Sequence, residues 1–129
     1  MSSELVLDSG GVGRLAEQSR AAAALIAAFR AAELWPPRVP SVVLVESLHG
    51  HVGRDAPTNR FLKTCDVVEQ VSEPLARRAA YLRTRARRGS AVDALVVALA
   101  EPNGTVLTSD SRDLDALAAY AVGVTVITA

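Results

Sequence analysis

The sequence predicts an α/β fold, with a central parallel sheet flanked by helices in three layers. Three observations carry this. Short strand-like apolar runs alternate with helical stretches along the whole chain. The first run, Leu5-Val6-Leu7, is continuously apolar, as a strand covered on both faces must be. The chain has 129 residues, half of them hydrophobic, which fits one domain spanning 1–129 with a full core.

The elements follow in order. Residues 4–7 read as a buried strand, and Ser9-Gly10-Gly11-Val12-Gly13 as a turn. Residues 19–34 are rich in alanine, the best helix former, and Pro36 and Pro37 stop that helix. Arg38-Val39-Pro40 is a short extended piece. Residues 41–49 read as a helix with Gly50 as its C-cap. Residues 53–57 read as a loop, and Thr58 as the cap of a helix through Thr64. A weaker strand is expected over 66–71, then a long helix over 73–88 closed by Gly89. A further helix over 90–101 ends at Pro102-Asn103-Gly104. A strand over 105–108, a helix over 111–120 and a last strand over 124–127 complete the chain. No repeat, low-complexity tract or dividing linker interrupts this alternation.

Charge and composition exclude several classes. The formal net charge is zero, so any nucleic-acid contact must be a local patch rather than a basic coat. The single cysteine, Cys65, rules out an intrachain disulfide and a cysteine-based metal cluster, and reads as a small core residue. The N-terminus has no basic region followed by an apolar core, and the apolar stretch 21–34 contains Arg30 and Glu33 and is too short to span a bilayer. A soluble, cytoplasmic protein without a membrane partner is the expectation.

Four carboxylates stand where packing does not want them. Asp8 ends the first strand, Glu46 interrupts an apolar stretch, Asp93 opens the apolar run 94–100, and Asp110 follows the strand over 105–108. Each has an ordinary alternative. Asp8 and Asp110 could cap helices. Glu46, on the helical face of Val42 and Val43, could pair with His49. Asp93 sits at the capping-box spacing from Ser90. Asp113 and Asp115 fall in a first helical turn, where the helix dipole favours acids. Four such acids at one end of one sheet are nevertheless expected to converge, because ligands bind outside the carboxyl ends of parallel strands. Converging carboxylates repel unless a cation lies between them, and hard oxygen ligands suit Mg²⁺ or Mn²⁺. Asp113 is the accessory candidate, and Asp115 is expected to be solvated.

With these residues in view, the chain resembles a PIN domain and, within that family, the VapC-type ribonuclease toxins. The resemblance rests on Leu5-Val6-Leu7-Asp8-Ser9, Val43-Leu44-Val45-Glu46, Ala91-Val92-Asp93-Ala94-Leu95 and the run from Leu107 through Asp110 to Leu114, and covers the whole chain. It implies a Mg²⁺- or Mn²⁺-dependent endoribonuclease that hydrolyses RNA with a metal-activated water. Asp8, Glu46, Asp93 and Asp110 then act as catalytic metal ligands, and Ser9 matches the hydroxyl usual after the first acid. It further implies a small antitoxin partner and a homodimer. The Gly10-Gly11-Val12-Gly13 stretch departs from the more apolar start of the family's first helix.

Arg77, Arg78, Arg83, Arg85, Arg87 and Arg88 crowd one long helix and its end. Most suit a solvated face; Arg87 and Arg88, close in sequence to Asp93, are the candidates for phosphate contact. Trp35 and Phe29 suit a core or a partner groove better than a base-stacking platform. Two other functions compete. A non-catalytic PIN-like module would bind RNA or protein through the same fold. A receiver-type signalling domain would want paired acids after the first strand and a lysine after a late one, whereas this chain offers one acid there and Lys63 as its only lysine.

Overall fold

Five short strands form one sheet: β1 (Leu5–Leu7), β2 (Arg38–Pro40), β3 (Asp66–Val68), β4 (Thr105–Thr108) and β5 (Thr125–Thr128). Their order is β3-β2-β1-β4-β5, and every pair is parallel. The computed structural model describes residues 3–129, so Met1 and Ser2 of the expected range 1–129 lie outside the described residues. The central strand β1 is completely buried, which is why Leu5-Val6-Leu7 carries no polar residue.

Helices cover both faces. On one side α1 (Ser9–Ala16) packs on β1 and β4 and carries α2 (Arg20–Ala31), α3 (Leu44–Ser47) and α4 (Val52–Leu62). From the other side α6 (Ala91–Ala100) packs on β1, β2 and β4, joined by α5 (Glu73–Ala86) and α7 (Arg112–Ala118). The result is a single three-layer α/β domain with a parallel sheet, as expected, and it is consistent with a PIN-like architecture. The core joins the β1 leucines, Val39, Val106 and Leu107 of the sheet to Val12, Leu15, Leu82, Val96, Val97, Leu114 and Leu117 of the helices. Phe29 belongs to it, and Trp35 packs edge-on against Phe61 at 6.3 Å, so both aromatics are structural. Cys65 is half-buried beside the core, and burial pushes its thiol up to about 11.

Four local expectations are corrected. Residues 9–13 are not a turn but the first half of α1: Gly10 and Gly11 serve close packing rather than chain reversal. A Cβ on Gly11 would run into the Leu107 carbonyl oxygen and lie 3.1 Å from its carbon, so only glycine lets α1 press onto β4. Residues 53–57 are helical, because α4 starts at Val52 and runs through Pro57. The helix expected over 41–49 spans only 41–47: a 3₁₀ turn (Ser41–Val43) runs straight into the single-turn α3, and Leu48 leaves it in an extended conformation. The third strand is only three residues long, where 66–71 had been expected.

No helix among the described residues is long and apolar enough to cross a membrane.

Candidate functional site

The strand order reverses direction between β1 and β4. From β1 the chain moves outward to β2 and β3; from β4 it moves the opposite way to β5. Connections leaving neighbouring parallel strands in opposite directions open a crevice beyond their carboxyl ends, where ligands of α/β proteins bind. Register pairs Leu7 with Leu107, so the next residues on each strand, Asp8 and Thr108, stand side by side at that crevice.

Asp8 forms its floor. It is 8% exposed and caps α1, its Oδ1 accepting the Gly11 amide at 2.7 Å. Its Oδ2 lies 2.6 Å from the Thr108 hydroxyl, which is itself buried. Burial pushes the Asp8 carboxyl above the usual carboxylate range. The two hydrogen bonds pull it back, and the charges of Asp93 and Glu46 push it up further. Thr108 Oγ1 also lies 3.1 Å from the Asp110 carbonyl oxygen and accepts the Asp110 amide at 3.2 Å. A hydroxyl has one proton to give. It donates to Asp8 when that group is ionised and can turn to the Asp110 carbonyl when Asp8 carries the proton.

The cleft above Asp8 holds about 400 Å³ and is walled by Ser9, Asp93, Asp110, Asp113, Arg88 and Arg112 among others. Asp93 arrives at the start of α6 through the expected capping box. Its amide donates to Ser90 Oγ at 3.0 Å, and its Oδ2 accepts the Ser90 amide at 3.1 Å, while the residue lines the cleft. The cap and the cleft therefore use the same residue. Asp110 is exposed and forked onto Arg112, whose Nη2 and Nε donate at 2.8 and 3.1 Å. That guanidinium, with the Arg112 amide, holds Asp110 down to about 2. Asp113 accepts from Arg88 Nε at 2.8 Å. Asp115 is exposed and lies outside the cleft.

Thus Asp8, Ser9, Asp93, Asp110, Asp113 and Arg88 come together at one cleft. Glu46 does not line it. Glu46 lies exposed in α3, though its charge still reaches Asp8. His49, the expected partner of Glu46, bonds Asp55 instead, at 3.1 Å. Arg87 also stands apart: it is the left-handed C-cap of α5, with φ 57°, and lines a neighbouring cleft. Two residues that sequence reasoning passed over belong to the site. Thr108 becomes visible once β1 is paired in register with β4. Arg112 is two residues from Asp110, close enough to close on it.

The donor set suits a hard divalent cation, since it offers carboxylate and hydroxyl oxygens and neither thiolate nor imidazole. Among the described residues no three histidine, cysteine, aspartate or glutamate side chains lie close enough to share an ion. Mg²⁺ binds through one or two carboxylates and keeps several waters. Asp8 and Asp93 are the pair placed for that, since Asp93 lines the cleft and its charge acts on Asp8.

No protein-family model matches the chain, and no curated protein matches its sequence. Among solved structures, it is similar in fold to a chain of a toxin–antitoxin complex from Klebsiella pneumoniae, with a TM-score of 0.67 over 96% of each chain. Identity is 21%, so the likeness is one of fold.

Proposed function

We propose that this chain is a divalent-metal-dependent endoribonuclease and the toxin of a toxin–antitoxin pair. One observation carries the reading: a buried aspartate at the switch point of a parallel sheet, its pKa raised, faces a second carboxylate in a cleft rimmed by arginines. The similarity of fold to a chain from a toxin–antitoxin complex supports the biological half.

Asp8 and Asp93 would hold Mg²⁺ or Mn²⁺, with Asp110 and Asp113 as further oxygen donors of the same cleft. When bound, such a cation lowers the pKa of a water and offsets charge on a pentacoordinate phosphate. The protein's own groups do the rest. Thr108 orients the Asp8 carboxylate through its hydroxyl. Released from Asp110, the Arg112 guanidinium presents a planar fork to two phosphate oxygens. Arg88, which also lines the cleft, offers a second cationic contact, and Ser9 a hydroxyl donor. A small antitoxin would silence the chain by placing a basic side chain among these acids, in competition with the cation.

One observation favours the non-catalytic alternative. Asp110 and Asp113 are already neutralised by Arg112 and Arg88, which leaves a cleft that could bind without cutting.

The test uses purified protein and total RNA, with Mg²⁺ or Mn²⁺ and with chelator. Cleavage is expected with the ions and not with chelator. Asp93→Asn keeps a capping group and is expected to cost well under about 1 kcal/mol while cleavage falls by orders of magnitude. Expression alone is expected to arrest growth, and Asp8→Ala to relieve the arrest. A wild-type chain that is harmless and inert on RNA with either ion would hand the reading to the binding module.

A further inference from the structure

A second cleft adjoins the first. It holds about 440 Å³ and is lined by Arg83, Arg87 and Arg88 with Ala80, Thr84 and Gly89. Arg88 is common to both clefts, so the two share a wall. No carboxylate lines the second. Among the described residues Arg87 enters no salt bridge. Arg83 donates its Nε to the Gly89 carbonyl at 3.1 Å, which fixes the side chain and leaves its terminal nitrogens available.

A helix C-terminus favours basic side chains by about 0.3–1 kcal/mol, and that accounts for some arginine here. It does not account for three of them around one cavity that shares a wall with an acidic one. The left-handed cap turns the chain sharply after α5, so that successive residues Arg87 and Arg88 both line the same cleft.

No aromatic ring lines the arginine cleft, so it offers no aromatic platform for bases. The nearby rings are taken: Arg78 lies over Tyr81 and Arg85 over Tyr120, at 5.1 and 5.3 Å from the ring centres. What remains is a fork-shaped, sequence-blind set of donors, and such donors suit phosphate oxygens.

We propose that the arginine cleft is a phosphate subsite, which holds the backbone phosphate neighbouring the scissile one in a single-stranded RNA that crosses Arg88 into the acid cleft. The proposal rests on the endoribonuclease reading and deepens it. Arg83 and Arg87 set affinity for a long strand, while the acid cleft acts alone on the shortest substrates.

The probes are polyuridylate and a uridylyl dinucleotide, the variants Arg83→Gln/Arg87→Asn and Arg87→Asn alone. Asparagine tolerates the left-handed backbone of position 87, and unchanged thermal melting verifies the fold. KM for polyuridylate is expected to rise roughly tenfold with kcat kept, and dinucleotide kinetics to stay the same. Binding of polyuridylate in chelator is expected to lose about 0.7 of its log–log salt slope for each phosphate contact removed. Unchanged KM and slope in both variants overturn the subsite. Displacement of polyuridylate by polyglutamate as effectively as by RNA also overturns it, in favour of an acidic protein segment. If the wild type cuts neither probe, the nuclease reading fails. The chelator binding assay then decides the subsite by itself: a slope lowered in the variants keeps it, and an unchanged slope removes it.

Discussion

Asp8 shows how one residue can cap a helix and form the wall of a cleft together. As an N-cap it accepts the Gly11 amide, which any strand-to-helix aspartate would do. What sets it apart is tertiary: Thr108, one hundred residues away in sequence, closes on its other oxygen, and the sheet buries both. The acid was legible in the sequence, and its partner was not, because the pairing of β1 with β4 skips two intervening strands. The capping box of Asp93 was legible in the sequence, and the same residue lines the cleft. Glu46 is helical, as its spacing suggests, but that short helical segment leaves it exposed rather than on a buried apolar face. The raised pKa of Asp8 has a consequence for stability. A carboxyl whose folded pKa lies above its unfolded value favours folding most at low pH, and that contribution is lost as pH rises through the folded pKa. Asp8→Asn removes the charge and keeps the bonds: its carbonyl can accept from Gly11, and its amide can donate to Thr108, whose proton turns to the Asp110 carbonyl. In chelator at neutral pH this variant is expected to melt a few degrees above wild type. The gap should close as pH falls below the Asp8 pKa. Equal melting temperatures at all pH values would mean that Asp8 is not destabilised by its surroundings.

At the scale of elements, glycine and proline misled in opposite settings. Gly10 and Gly11 suggested a turn, yet they lie in a helix because their missing side chains admit Ser109 and the Leu107 carbonyl. Gly53 and Pro57 suggested a loop, yet α4 runs through both. Pro57 costs the helix one backbone bond in its second turn. Its start is secured by Asp55, a buried carboxylate that gathers the amides of His49, Gly50 and His51 at 2.8–3.0 Å together with the His49 ring. Burial alone would raise the Asp55 pKa, but these bonds outweigh it and hold the carboxyl down to about 2. Nothing in the sequence marked this, since the donors are backbone groups of a turn that only the fold defines. A depressed carboxyl stabilises the fold above its unfolded pKa and loses that contribution as pH falls through the folded one. Wild type is therefore expected to lose stability between about pH 4 and pH 2. Asp55→Asn, which can no longer gather all those donors, is expected to melt lower at neutral pH and to show a flatter dependence across that window. A variant as stable as wild type at pH 7 would show that the turn holds itself.

For the whole molecule, the alternation of strands and helices fixed the class, and the parallel sheet followed from its continuously apolar central strand. The strand order did not follow, because nothing local tells the chain that α5 and α6 must carry it back across the sheet from β3 to β4. That crossover creates the switch point, brings Asp93 over Asp8, and lays the arginine-rich end of α5 beside the acids. A chain of zero net charge thus holds an acidic cleft and a basic one side by side. The acidic cleft is the least comfortable part of the fold, since Asp8 is buried and lies in the fields of Asp93 and Glu46. A cation that relieves this must bind the folded state in preference to the unfolded one, and linkage makes such binding visible without any substrate. Mg²⁺ or Mn²⁺ at a hundredfold excess over its dissociation constant is expected to stabilise the chain by about 2.7 kcal/mol, roughly 10 °C in melting temperature for a domain of this size. The shift is expected to vanish on chelation. It should also be largely absent in Asp8→Asn, which has already shed the repulsion that the ion would relieve. Thermal melts of both proteins across a titration of each ion measure this directly. A wild type that does not respond to either ion, or a variant that responds as strongly, would detach the metal from Asp8 and leave the acids to capping and ion pairing alone.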